Sequence, residues 1–338
     1  MTGARPPDAT TLAGRIALGH RAGLLTGLHA LLVRRNGETL AEAYFDGEDE
    51  DWGRPLGSVA HGPETLHDLR SVTKSVTGLL YGIALDRGLV PPPEAPLLSC
   101  FPRYPDLAAD PARAGWTVAH ALDMTLGTEW PETLDYTDPA NAELAMERAE
   151  DRFRYVLDRP VIRPAGEAWT YSGGCSALIG RIVEDGTGRR LDAFAEEVLF
   201  APLGVGPWAW NAGEDGTLSA ASGLRLTARG LARIGEAAAA GGLWNGAQVI
   251  PAGWLARLAE PRIRTDFGMG YSGQWYLTRQ PGPGGMVDIL AGMGNGGQRL
   301  WVAPSLGLSA VAFCGDYNRP DMWLTPTLAL TRLILPAL

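Results

Sequence analysis

A serine stands three residues before the only lysine of this chain, in the run Arg70-Ser71-Val72-Thr73-Lys74-Ser75. Of the 29 basic residues, 28 are Arg, so nearly every generic cationic role is filled by a guanidinium. Lysine can release its proton where arginine cannot: guanidinium stays charged at any accessible pH, whereas a desolvated amine can lose its charge. Residues i and i+3 share a helix face, so a helix beginning here brings the Ser71 hydroxyl to the Lys74 amine. That pair would make a serine nucleophile with a nitrogen base beside it. On this reading the helix dipole and apolar surroundings both lower the proton affinity of Lys74, leaving the amine neutral for part of each cycle. The same spacing also fits a serine that caps a helix, with a lysine exposed one turn later.

Other hydrolytic chemistries are poorly represented. No G-x-S-x-G elbow occurs, and all five histidines (His20, His29, His61, His67, His120) lie in the first 120 residues. An α/β-hydrolase needs its histidine after its serine and acid, so that fold is excluded on order as well as motif. No H-E-x-x-H or H-x-H spacing exists, and His67-Asp68 reads as a loop pair, so neither a metal nor an organic cofactor is expected. The three cysteines, Cys100, Cys175 and Cys314, suggest neither a disulfide framework nor a zinc knuckle. A net charge of −9 argues against nucleic acid or anionic lipid as partners. The first twenty residues hold no apolar signal region, and no segment reaches the ~18 apolar residues of a membrane span. A cytoplasmic protein with a small-molecule partner is the expectation.

The elements that must position the pair follow from periodicity. At 338 residues the chain exceeds the ~250–300 at which one core stops growing, so two lobes are expected. Asn36-Gly37 between apolar runs predicts a hairpin with strands at about 28–35 and 38–45. Residues 46–66, acidic and rich in Gly and Pro, read as a loop. A helix is predicted from Ser71 to Arg87, uncharged between Ser75 and Leu85 and therefore buried on most sides. Helical patterns fill 118–124, 140–157, 174–186, 190–199 and 226–240, strands return after about 265, and a helix closes the chain at 324–335. Both chain ends can share one antiparallel sheet only if residues 89–245 form an inserted, mainly helical lobe, with 1–88 and 246–338 making the sheet lobe and a site in the cleft between them.

The stretch His67–Thr77 resembles the nucleophile helix of the serine β-lactamase and penicillin-binding-protein superfamily, in the branch of class C-like enzymes, family VIII carboxylesterases and 6-aminohexanoate-dimer hydrolases. Met124-Thr125-Leu126-Gly127, Pro164-Ala165-Gly166 with Trp169-Thr170-Tyr171-Ser172, Pro202-Leu203-Gly204 and Gly294-Asn295-Gly296-Gly297-Gln298-Arg299 follow in the order of that family. The resemblance implies an α+β fold of β-lactamase/transpeptidase type. It implies an acyl-enzyme on Ser71, with Lys74 and Tyr171 as the proton network. The oxyanion hole would be the backbone N–H of Ser71 and one from Gly297 or Gln298.

Two departures narrow the expected substrate. Penicillin-recognising members carry a K-T-G triad, and this chain has no second lysine to supply one. Gly173 stands where the Tyr-x-Asn motif has its Asn. Arg299 lies near the turn and is a candidate carboxylate partner, and Trp130, Tyr136, Trp169, Gly173 and Asn295 are candidate pocket residues. The expectation is a serine hydrolase of a carboxylic ester or small linear amide. Acyl transfer at the same site, a weak β-lactamase or aminopeptidase-like amidase and, least favoured, a non-catalytic binding protein are the alternatives.

Overall fold

The computed structural model describes residues 8–136 and 138–338. An antiparallel sheet of eight strands runs in the order Ile263–Arg264, Gly270–Ser272, Trp275–Gly282, Gly285–Gly294, Gln298–Ala303, Leu308–Cys314, Leu28–Arg35 and Glu38–Tyr44. The two ends of the chain meet inside it, with Val33 opposite Ala310. The turn after Leu28–Arg35 is made by Asn36 and Gly37 at φ 49° and 82°, the left-handed pair whose twist suits a two-residue hairpin.

The helix Ala228–Ala239 packs on Leu308–Cys314, Leu28–Arg35 and Gln298–Ala303. Gly235 lets it close on the sheet, and the Ser309 hydroxyl donates to the Ala232 carbonyl at 2.9 Å. The sequence reading placed this helix in the 89–245 insertion, whereas its packing joins it to the sheet. Its small residues explain this, since Ala and Gly allow the close approach a flat sheet face offers.

The helix Val72–Asp86 is buried at every position from Val72 to Ala84, as its lack of charge predicts. Gly78 and Gly82 are the reason it can sit so deep. A Cβ at Gly78 would lie 2.3 Å from the Gly273 carbonyl oxygen, and one at Gly82 would lie 2.2 Å from the Trp254 ring. The helix also packs against Gly173–Thr187 and the Gly285–Gly294 strand.

Three expectations change. Residues 46–66 contain a hairpin, Gly47–Asp51 with Arg54–Val59, turned by Trp52 and Gly53 at φ 50° and 87°, a left-handed pair that the acidic composition concealed. His67–Asp68 is not a loop pair but a buried strand on Leu224–Leu226, which in turn pairs with Trp208–Trp210. The helix expected over 140–157 is two, Ala142–Glu147 and Arg152–Leu157, because Asp151 caps the second by accepting from the Arg154 amide at 3.0 Å. No helix among the described residues is long and apolar enough to cross a membrane.

Candidate active site

Ser71 is placed by a strained turn. Arg70, between the His67–Asp68 strand and the helix, adopts φ 48°, a conformation uncommon outside Gly and Asn. Its guanidinium is held by Glu50 at 2.6 Å and Asp68 at 3.2 Å and lies 4.9 Å from the Tyr317 ring centroid. Ser71 follows at the helix cap, yet its side chain caps no backbone amide. The Lys74 ammonium instead donates to Ser71 Oγ at 3.0 Å and to the Ala221 carbonyl at 3.2 Å. Lys74 is only 2% exposed, which excludes the reading of a helix cap with a surface lysine. Tyr171 stands beside the pair: its ring centroid lies 4.8 Å from Lys74 Nζ, and Ser71 and Lys74 both act on the ionisation of its hydroxyl.

Two buried carboxylates complete the cluster, and neither was anticipated. Glu143 Oε2 lies 3.5 Å and Glu132 Oε1 3.6 Å from Lys74 Nζ. Burial alone would lower the Lys74 pKa, but Glu143, Tyr171 and Glu132 outweigh it and hold the ammonium above its ordinary value. The expectation of a neutral amine is therefore corrected: desolvation acts as anticipated, and two anions beside the ammonium act more strongly. The two acids act on each other and diverge. Burial and Glu143 push the Glu132 carboxyl up, while Lys74 and its hydrogen bonds pull Glu143 down against its own burial. Opposite directions on two carboxyls in contact mark a pair that titrates as a unit. Burial pushes Tyr171 up to about 12, with Lys74 opposing and the two acids adding to the rise.

The remaining expected residues divide. Tyr136 lies in the cluster, its hydroxyl donating to Glu143 at 3.2 Å, and it also lines the cleft. Trp130 does not line the cleft but packs in the core against Tyr155, its indole N–H donating to Glu132 at 2.6 Å. Gly173 is likewise no pocket residue. Its amide donates to Glu132, and a Cβ there would come within 3.0 Å of the Glu143 carboxyl. The carboxylates thus occupy the space beside Gly173. Asn295 faces the cleft and pairs with Asn318, donating to its side chain at 2.7 Å. Arg299 also turns inward, 5% exposed, its Nη1 donating to the Gln298 carbonyl at 2.6 Å and its guanidinium stacked 4.5 Å over the Trp323 ring.

Gln298 sits opposite Gly294 in the ladder. A Cβ on Gly294 would lie 3.1 Å from the Ser71 amide nitrogen, so this strand end presses directly on the head of the helix. The Gln298 side chain is spent on the neighbouring strand, donating to the Cys314 carbonyl at 2.6 Å and accepting from the Cys314 amide at 3.1 Å. Gly297, at φ 96°, backs onto Cys314. Ser71 and Tyr171 open into a cleft of about 880 Å³ walled largely by apolar groups, among them Trp169, Phe267, Tyr276 and Trp301.

A family model described as Beta-lactamase matches residues 19–323. The chain belongs to the beta-lactamase family. It is 28% identical over 321 residues to the 6-aminohexanoate-dimer hydrolase of Paenarthrobacter ureafaciens, covering 86% of this chain and 73% of that protein. Its fold matches that of EstCE1, a hydrolase with promiscuous acyltransferase activity, at a TM-score of 0.75 with 14% identity over 95% of this chain and 98% of the other. A family VIII carboxylesterase matches at 0.70, with 18% identity over 97% and 98%. The α+β fold of β-lactamase/transpeptidase type and membership of this hydrolase family are thereby shown. Within this member of the beta-lactamase family, the carboxylates Glu132 and Glu143 were missed because no local motif carries them. The one signal for Glu143 was its helical phase, since Ala142 and Met146, buried in the same short helix, flank it.

Proposed function

We propose that the chain is a serine hydrolase that cleaves a carboxylic ester or a small linear amide through an acyl-enzyme on Ser71. The observation that carries this reading is the 3.0 Å contact between Ser71 Oγ, which lines the cleft, and a buried Lys74, with the Tyr171 ring centroid 4.8 Å from Lys74 Nζ.

Tyr171 is the group that takes the Ser71 proton. Lys74 is held above an already high ordinary value by two acids, whereas Tyr171 rises only to about 12, so the phenol costs less to ionise. The acceptor is the minor fraction of Tyr171 that has released its proton to solvent through the cleft; as Oγ bonds the acyl carbon, its proton passes to that phenolate, whose charge Lys74 stabilises. The phenol then protonates the departing alcohol or amine, leaving the acyl group on Ser71. Water attacks next, giving its proton to the phenolate, and collapse returns a proton to Oγ and frees the acid. The backbone amides of Ser71 and Gln298 are the proposed donors to the oxyanion.

The largely apolar walls favour an apolar acyl group. The absence of a K-T-G lysine, together with carboxylates filling the space beside Gly173, disfavours a β-lactam. A fluorophosphonate probe with peptide mapping tests the proposal: it is expected to modify Ser71 alone, and folded protein left unlabelled there would refute it. Among p-nitrophenyl esters, butyrate and octanoate are expected to exceed acetate in kcat/KM, with nitrocefin turned over far more slowly.

A further inference from the structure

Three of the five histidines converge away from the serine. His29 lies on the Leu28–Arg35 strand, Asp49 on Gly47–Asp51, His67 on His67–Asp68 and His61 on the segment before it. His29 Nδ1 stands 3.0 Å from His67 Nε2, and His67 Nε2 stands 3.5 Å from Asp49 Oδ1. The His61 ring stacks on His29 at 4.1 Å between centroids. One donor atom from each of the four residues lies within 4.8 Å of the other three.

The donors are set up to ligate rather than merely to bond one another. His67 Nδ1 donates to the Asp68 carbonyl at 3.0 Å, which leaves Nε2 as a lone pair facing the cluster. A backbone acceptor behind the ring is the arrangement that orients ligating histidines. Asp49 Oδ1 accepts from the Tyr317 hydroxyl at 2.9 Å, but Asp49 Oδ2 is buried without a hydrogen-bond partner, and so is His61 Nε2. Asp49, His29 and His67 are each at least 97% buried, so these open valences cannot be satisfied by bulk water.

We propose that His29, His61, His67 and Asp49 form a structural site for one divalent transition-metal ion, best matched by Zn²⁺. Bond lengths of ~2.0–2.1 Å put tetrahedral ligand atoms about 3.3 Å apart, and the His29–His67 and His67–Asp49 contacts, 3.0 and 3.5 Å, bracket that value. Three imidazoles and one carboxylate suit a borderline ion rather than Mg²⁺ or Ca²⁺. Four protein donors leave no open position, which is the mark of a structural site rather than a catalytic one. The ion would clamp the layer that ends in the Ser71 turn. Asp68, next to His67, holds Arg70 at 3.2 Å and Arg225 at 3.0 Å, and the Trp52 amide donates to it at 2.6 Å.

The full chain, made without a histidine tag and stripped with a chelator, is titrated with Co²⁺. One equivalent is expected to give the intense visible bands of tetrahedral cobalt, with Zn²⁺ displacing it and either ion raising the melting temperature. His61→Ala removes a half-buried ring whose Nε2 has no partner. It is expected to weaken cobalt binding at least about tenfold and to abolish the melting shift, while Ser71→Ala keeps both. Absence of tetrahedral bands in the wild-type protein overturns the site whether or not the variant folds, as does binding that persists unchanged in folded His61→Ala.

Discussion

Lys74 shows what a sequence can say about a residue and where it falls silent. Its solitude among arginines and its spacing from Ser71 point to a buried pair, and the pair is there at 3.0 Å. Its charge state depends on Glu132 and Glu143, which reach it through tertiary packing alone, across 58 and 69 residues of chain. If Lys74 works as a fixed cation, charge should matter more than ionisability. Lys74→Arg is then expected to retain at least about tenfold more turnover than Lys74→Met, the effect of one opposite charge on a neighbouring ionisation; equal loss in both would return the base role to the amine. Tyr171→Phe, which removes the proposed acceptor, is expected to lower kcat by ~10²–10⁴ while leaving the fold intact by circular dichroism. Glu143 raises the pKa of both Lys74 and Tyr171. Glu143→Gln should therefore move the rising limb of the kcat/KM pH profile toward lower pH, and an unmoved limb would detach this carboxylate from the proton network.

At the scale of elements, local signals served best where one short run dictates the backbone. Asn36-Gly37 names its own turn, and the uncharged run from Ser75 to Leu85 names a buried helix. The Gly47–Asp51 and Arg54–Val59 hairpin was illegible because charged residues and Pro mark loops far more often than strands. The glycines of the central helix carry the opposite lesson. Gly78 and Gly82 look like weaknesses by propensity, since Ala is favoured over Gly by about 1 kcal/mol in a helix interior. Here each holds open a contact with a carbonyl or an indole ring. Gly78→Ala is expected to destabilise the protein by ~1–3 kcal/mol through overpacking, read as a lower urea midpoint at unchanged slope; a stabilised variant would mean that the Gly273 segment yields freely.

Across the whole molecule, buried ionisable groups of opposite behaviour should shape stability against pH in metal-free protein. Burial raises Glu147 to about 7 and Asp68 to about 6. A raised carboxyl favours the folded state most when it is protonated, so its contribution is complete below its unfolded value and fades as pH climbs through 6 and 7. Burial lowers His67 to about 4 and His29 to about 3. Those rings favour the folded state when neutral, so their contribution is complete above their unfolded value of ~6.5 and is lost as pH falls toward 4 and 3. Between these limits the acids gain what the histidines lose, because the folded and unfolded states then bind nearly equal numbers of protons. Below about 4.5, the ordinary carboxylate range, the raised acids add nothing more, while the histidines and the depressed Glu143 go on losing their contributions. The melting temperature measured in a chelator should therefore rise from pH 9 to about 7, level off to about 5 and fall steeply below 4.5. His29 and His67 are also proposed ligands, so a bound divalent ion should resist their protonation and push the acid fall to lower pH. A melting curve whose acid limb stands in the same place with and without Zn²⁺ would separate the histidine cluster from any metal.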